Sequence, residues 1–262
     1  MKTKLGQMVG RRLPEFAVGP DQARPHPHTS VGIEVECEGI TIYDARKWDS
    51  KRWRAVEEGS LQNGCEFVSD PVWGTAIADA LDELGGYFQT HPPYMSVRTS
   101  VHVHVNVLDM YTEHLSRMIK AYVMYEVPLY RMHDGRYGNI FCTPAAESAY
   151  VQGVYGEILE ATEVGEAPRA TASSKYLGMN VNQLRGLGTL EFRHMGGTSD
   201  MKKILEWIDI LLRLKASAQD ETIPLDNPDL FWAGQRDILT ISDDDVIDGA
   251  SLVNKLTMWS TI

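Results

Sequence analysis

A strict alternation of valine with polar residues runs through the middle of the chain, at residues 101–107. Valine occupies every odd position, and His102, His104 and Asn106 lie between the valines. Successive side chains of a β-strand point to opposite faces, so the alternation predicts a strand with one valine face and one polar face. The same register, extended backwards, adds Arg98 to the polar face. Because imidazoles are common metal ligands and titrate near neutral pH, this face is the first candidate for a functional site.

A second segment places three carboxylates on one side of a predicted strand. Glu34, Glu36 and Glu38 alternate with apolar residues there. Like charges at every second position repel one another, whereas they are favoured where a cation binds. The pattern therefore favours a cation site, and a solvated edge strand is the alternative.

Two more predicted strands carry charged residues at matching positions. A short apolar strand contains a single acid, Glu66, and an acid among apolar neighbours requires a partner. Another strand, at residues 187–195, places Glu191, Arg193 and Met195 on one face.

These four strands together predict one sheet whose concave face binds cations and phosphate. Oxygen ligands with one or two histidines favour Mg²⁺ or Mn²⁺ over a zinc site built from cysteines. Arginine beside such ligands suits a phosphate group, because a guanidinium matches phosphate geometry with paired hydrogen bonds.

Apolar residues at helical spacing predict helices at residues 76–84, 112–132 and 200–215. We expect the first helix to end at Gly85, and the apolar stripe of the last helix places Trp207 in the core. Residues 175–184 are predicted to form a strand.

The chain of 262 residues divides into an extended arm at 1–30, one domain at 31–220 and a C-terminal extension at 221–262. The weakly patterned residues 145–174 are interpreted as a lid or an insertion. A formal net charge of −11 disfavours nucleic acid and anionic membranes as partners. No apolar run reaches the length of about 20 residues that a membrane span needs. The three cysteines are too scattered for a disulfide framework, so we expect a cytoplasmic protein.

Four motifs, in the same order, resemble those of the amidoligase family of phages and bacteria. They are Gly-Ile-Glu-Val-Glu at 32–36, Gly-x-Glu-x-x-Ser at 64–69, Ser-x-His-x-His at 100–104, and Gly-Thr-Leu-Glu-Phe-Arg at 188–193 followed by Gly197 and Thr198. That family belongs to the carboxylate-amine ligase superfamily, with glutamine synthetase and glutamate-cysteine ligase. The resemblance covers roughly residues 31–215.

The resemblance implies an α+β fold in which an antiparallel sheet, with a concave catalytic face, is backed by helices as in glutamine synthetase. It also implies ATP and two or three Mg²⁺ ions as cofactors, with Mn²⁺ as the alternative metal. Glu34, His102 and Glu191 would bind one metal ion. Glu36 and Glu66 would bind another.

His104 and Arg193 would contact the transferring phosphate, and with Glu191 they form the predicted catalytic set. The implied reaction phosphorylates a substrate carboxylate to an acyl phosphate, which an amine then attacks to give an amide. The expected partners are therefore a small-molecule or peptide carboxylate and an amine. The location would be the host cytoplasm if a phage encodes the chain, and the arm suggests a homo-oligomer.

Further residues are candidates for contacts with the nucleotide or the substrate, and each could equally be a structural surface charge. Arg98 and Lys175 are candidate nucleotide contacts, and Arg131 and Arg136 are candidate substrate contacts. Glu38 is a candidate additional metal ligand, and Cys142 is predicted to be a buried packing residue. Many relatives carry Asp-Gly-Ser-Leu where this chain has Glu-Gly-Ser-Leu at 58–61.

Three other functions remain compatible with the same residues. A metal-dependent hydrolase would use them to activate water without ATP. A phosphotransferase would move phosphate from ATP to a guanidino group. A binding protein could keep the fold without catalysis.

Overall fold

A six-stranded antiparallel sheet forms the centre of the protein. The computed structural model of the chain describes residues 30–133, 136–144 and 176–222. The strands are Val31–Glu38 (β1), Trp53–Val56 (β2), Gly64–Ser69 (β3), Ser100–Asn106 (β4), Met179–Asn180 (β5) and Thr189–Gly196 (β6), in the sheet order β2-β3-β1-β4-β6-β5. The helices in the described ranges are Ile42–Ala45 (α1), Thr75–Thr90 (α2), Thr112–Arg131 (α3), Gln183–Gly186 (α4) and Met201–Gln219 (α5). The fold is α+β, as predicted.

The valine face of β4 lies in the core, and the polar face of the same strand is also buried. Val101, Val103 and Val105 are inaccessible to solvent, and α5 packs on β4, on α2 and on α3. Trp207 of α5 is buried in this core, which confirms its predicted place. Within the described residues, none of the helices is long and apolar enough to cross a membrane.

Several predicted boundaries are wrong. Helix α2 continues through Gly85 to Thr90, because buried Tyr87 and Phe88 extend its apolar stripe and outweigh the cost of about 1 kcal/mol for a glycine inside a helix. Strand β2 was not predicted. The strand predicted at 175–184 is reduced to the two residues of β5, and α4 follows it.

The predicted orientation of Met195 is also wrong, because β6 contains a β-bulge. Phe192 pairs with Val103 and Met195 pairs with Val101, so His102 lies opposite two residues of β6 instead of one. The extra residue reverses the alternation, and Met195 therefore joins the apolar core.

The predicted arm lies outside the described residues except for Ser30, and the C-terminal extension lies outside them except for Glu221 and Thr222. Residues 145–174 also lie outside them. The division into domains therefore stays a prediction.

A buried ion pair joins α5 to the loop after β4. Lys215 Nζ lies 2.7 Å from Asp109 Oδ1, and both side chains are almost inaccessible to solvent. The other carboxylate oxygen of Asp109 accepts a hydrogen bond from Gln219 at 2.8 Å. The pair fixes the end of α5 against the loop.

We expect Lys215→Met to lower the free energy of unfolding by about 3 kcal/mol, because it leaves the Asp109 carboxylate buried without its cation. Lys202→Met is the control, since that lysine lies on the exposed face of the same helix; its effect should stay within about 0.5 kcal/mol. Urea unfolding of both variants measures the difference, and equal effects would contradict the prediction.

Candidate active site

The register of the sheet brings the predicted acids and histidines together on one face. Glu36 lies directly opposite Glu66, Glu34 lies opposite His102, and His104 lies opposite Glu191. Residues paired in this way point their side chains to the same side of the sheet. The polar faces predicted for separate strands therefore form one continuous surface.

A cavity of about 260 Å³ opens on this surface. Eight of the predicted site residues line it: Glu34, Glu36, Glu66, Arg98, His102, His104, Glu191 and Arg193. Its other lining residues are Glu58, Ser60, Ser100, Phe141, Tyr176, Asn180 and Gln183. Five carboxylates thus face one small volume, which makes it a strongly acidic site.

His102 lies at the centre of the acids, and its hydrogen bonds determine which ring nitrogen carries a proton. Ser100 Oγ donates its single proton to Glu36 Oε2 at 2.6 Å and lies 2.8 Å from His102 Nε2. Because the serine proton is already used, Nε2 must donate to Ser100 Oγ. The remaining nitrogen, Nδ1, then faces the acids on the other side of the ring.

The Nδ1 atom of His102 lies 3.0 Å from Glu34 Oε2 and 3.6 Å from Glu191 Oε1. On a neutral ring, Nδ1 would direct a lone pair at two carboxylates, which is repulsive. A cation between the three groups removes the repulsion, either as a second proton on the ring or as a metal ion. The residues Glu34, His102 and Glu191 therefore fit a metal ion, with ligand atoms within 4.8 Å of one another.

A second group of possible ligands lies beside the first and comprises Glu36, Glu66 and His102. Since His102 Nε2 already donates to Ser100, we expect the acids rather than the ring to bind a cation there. Burial, together with the charges of Glu34, Glu36 and Glu58, raises the pKa of Glu66 to about 9. This carboxyl group is therefore unstable as an anion unless a cation accompanies it.

Glu34 and His104 stabilise each other's charged forms. Although burial alone would raise it, the neighbouring His102 and His104 rings hold the pKa of Glu34 well below its ordinary value. Burial disfavours the charged ring of His104, but the neighbouring Glu34 carboxylate raises its pKa. His104 Nε2 lies 3.1 Å from Glu34 Oε1, and its Nδ1 lies 3.1 Å from Thr189 Oγ1.

Arg193 is held at the edge of the cavity by Glu191 of its own strand and by Phe141 of the segment that follows α3. One terminal nitrogen of its guanidinium donates to Glu191 Oε1, and Nε donates to the Phe141 carbonyl at 3.3 Å. Asn180 Nδ2 donates to the other oxygen of Glu191 at 2.7 Å. These contacts fix both side chains, so the remaining guanidinium N–H groups can meet a ligand.

Among the described residues, Arg131, Arg136 and Glu38 do not line the cavity. Arg131 is exposed at the end of α3. Arg136 is buried behind the sheet, where it donates to the Arg193 backbone carbonyl at 3.2 Å. The Glu38 carboxylate accepts the backbone N–H of Gln62 at 2.7 Å, and Lys175 lies outside the described residues. Cys142 is buried, as predicted.

Sequence reasoning assigned no role to Asn180, Gln183, Phe141 or Tyr176. They lie in loops or in very short elements, where no periodicity marks one face. Glu58 stands where many relatives carry aspartate, and the structure places it in the cavity.

Carboxylates and imidazoles that converge on one cavity are groups able to hold a divalent cation. The model of a family described as "Putative amidoligase enzyme" matches residues 42–215. This span exceeds half of the chain and includes all strands except β1, so the chain belongs to this family of ligase-type enzymes. The chain matches none of the curated proteins with which it was compared.

The structure predicts different effects for the two histidines of β4. His102 belongs to both groups of possible ligands and His104 belongs to neither. We expect His102→Ala to weaken Mn²⁺ binding at least tenfold, because it removes a ligand. His104→Ala should change the metal affinity less than threefold, as an order-of-magnitude limit.

Isothermal titration with Mn²⁺ measures both affinities, and circular dichroism checks that each variant is folded. Equal losses in the two variants would contradict the division between the histidines.

Proposed function

We propose that the protein is an ATP-dependent carboxylate-amine ligase, which forms an amide through an acyl phosphate. The observation that carries the proposal is the sheet register, which brings four carboxylates, two histidines and Arg193 around one cavity, where Glu58 of a loop adds a fifth carboxylate. Membership of the amidoligase family supports the same reaction class.

The cavity needs cations before it can accept a nucleotide. Its carboxylates would repel the phosphates of ATP, whereas their oxygen atoms are the ligands that Mg²⁺ prefers. Bound Mg²⁺, held by Glu34, His102 and Glu191 and by Glu36 and Glu66, would neutralise phosphate charge and orient ATP.

Arg193 supplies a fixed positive charge beside these ligands. Its contacts with Glu191 and Phe141 hold the guanidinium in place before any ligand arrives. Such a preorganised donor stabilises charge that develops on a phosphoryl group, and it needs little rearrangement during the reaction. His104, held by Thr189, is the second proposed contact with the transferring phosphoryl group.

The proposed reaction has two steps. A carboxylate oxygen of the substrate attacks the γ-phosphorus of ATP, the bond from phosphorus to the bridging oxygen breaks, and ADP leaves. The amine then attacks the acyl carbon, inorganic phosphate leaves with the electron pair of the C–O bond, and the amine releases a proton. Holding the reactants side by side in a fixed orientation lowers the entropic part of both barriers.

The direct test is release of ADP and phosphate with Mg²⁺, measured over pairs of carboxylic acids and amines, with mass spectrometry of the product. We expect turnover to need ATP, an acid and an amine together. Turnover without ATP would indicate a hydrolase, and a stable phosphorylated product would indicate a phosphotransferase.

We expect Arg193→Ala to lower kcat by a factor of about 10² to 10³, because it removes a preorganised donor to the phosphoryl group. Arg213→Ala is the control, since Arg213 lies on the surface of α5 and pairs with Asp209. Unchanged turnover in Arg193→Ala would contradict the assigned role.

A further inference from the structure

A second cavity of about 190 Å³ adjoins the acidic one on the same side of the sheet. Glu34 and His104 line both cavities and so mark the boundary between them. A ligand in the second cavity would therefore lie next to the groups that face the proposed metal ions and phosphate.

The sheet register explains why space remains there. On β1, Gly32 occupies the position opposite His104, so this part of the polar face has no β1 side chain. A Cβ atom added to Gly32 would meet His104 Cβ at 3.5 Å, which is ordinary contact, so the glycine leaves real space. Val68 lies opposite Glu34 on β3 and forms a wall of the cavity.

The two cavities differ in charge. The acidic cavity has five carboxylates in its lining, whereas Glu34 is the one carboxylate among the described residues that line the second. Apolar groups of Val68, Leu108 and Leu187 line the second cavity. Arg54 also lines it, and its guanidinium lies 3.6 Å from Asp70 Oδ1. The second cavity therefore suits an uncharged carbon chain, and a charged group on the same ligand would lie at the boundary with the acidic cavity.

The size of the second cavity limits its ligand. A volume of about 190 Å³ has room for the carbon chain of a small acid.

We propose that this second cavity binds the carbon chain of the carboxylate substrate, a free carboxylic acid of amino-acid size. The acid's carboxylate would lie at the boundary formed by Glu34 and His104, where the phosphoryl group of ATP would arrive. The inference rests on the proposed function and adds to it the size and class of the acid.

The test uses ligand-detected NMR with saturated monocarboxylic acids of two to six carbons and with the free amino acids. Mg²⁺ and a non-hydrolysable ATP analogue are present at saturating concentrations. We expect at least one acid to bind, and affinity to rise about fourfold per added methylene until the cavity is full, since each buried methylene contributes about 0.8 kcal/mol.

Val68→Phe should fill the cavity and weaken binding of the best acid by roughly tenfold or more. The affinities for Mg²⁺ and for the ATP analogue should remain within about twofold of those of the wild-type protein. Val127→Phe is the control, because Val127 is a half-buried valine of α3 that lines neither cavity.

Three results would overturn the proposal: no acid binds, affinity does not depend on chain length, or Val68→Phe and Val127→Phe bind the acids equally well. Binding of peptides with a carboxylate side chain, without binding of free acids, would also overturn it. In each case, intact binding of Mg²⁺ and nucleotide would leave the proposed ligase function standing. Loss of nucleotide binding by the wild-type protein would refute that function itself.

Discussion

The contact of the His102 imidazole with the Glu34 and Glu191 carboxylates is the interaction on which the site depends. Backbone pairing of three neighbouring strands places these groups on one face of the sheet and close to one another. Ser100 Oγ accepts a hydrogen bond from Nε2 of the ring, so Nδ1 faces the two acids. A cation at this point turns a repulsive arrangement into a stable one, which is why the fold and the proposed chemistry are closely linked.

The β-bulge in β6 is the second feature that shapes the site. Without it, the two-residue period would place Met195 on the polar face with Glu191 and Arg193. The inserted residue instead returns Met195 to the core and leaves Arg193 opposite His102. From behind the sheet, Arg136 donates to the Arg193 backbone carbonyl and so supports the irregular backbone. A bulge beside a site commonly redirects one side chain while the rest of the sheet stays regular.

Alternation along single strands was enough to predict which side chains share a face, and Glu34, Glu66, His102 and Glu191 do meet in the structure. Alternation could not give the register between strands, which decides that Glu36 faces Glu66 and that Gly32 leaves a cavity opposite His104. The sequence predicted that Arg136 contacts a ligand, because an arginine in a loop has no periodic pattern that would show whether it is buried. Its burial depends on packing against residues that are distant in the sequence. Asn180 was missed because β5 has two residues and therefore no pattern to detect.

The most direct test of the site is the anomalous scattering of Mn²⁺ in crystals of the protein, since carboxylate sites that suit Mg²⁺ also bind Mn²⁺. The structure predicts a peak in contact with His102 Nδ1, Glu34 and Glu191, and a second peak beside Glu36 and Glu66. Nε2 of His102 should keep its hydrogen bond to Ser100. A Mn²⁺ ion bound to Nε2, or crystals with Mn²⁺ elsewhere and none among these acids, would contradict the account.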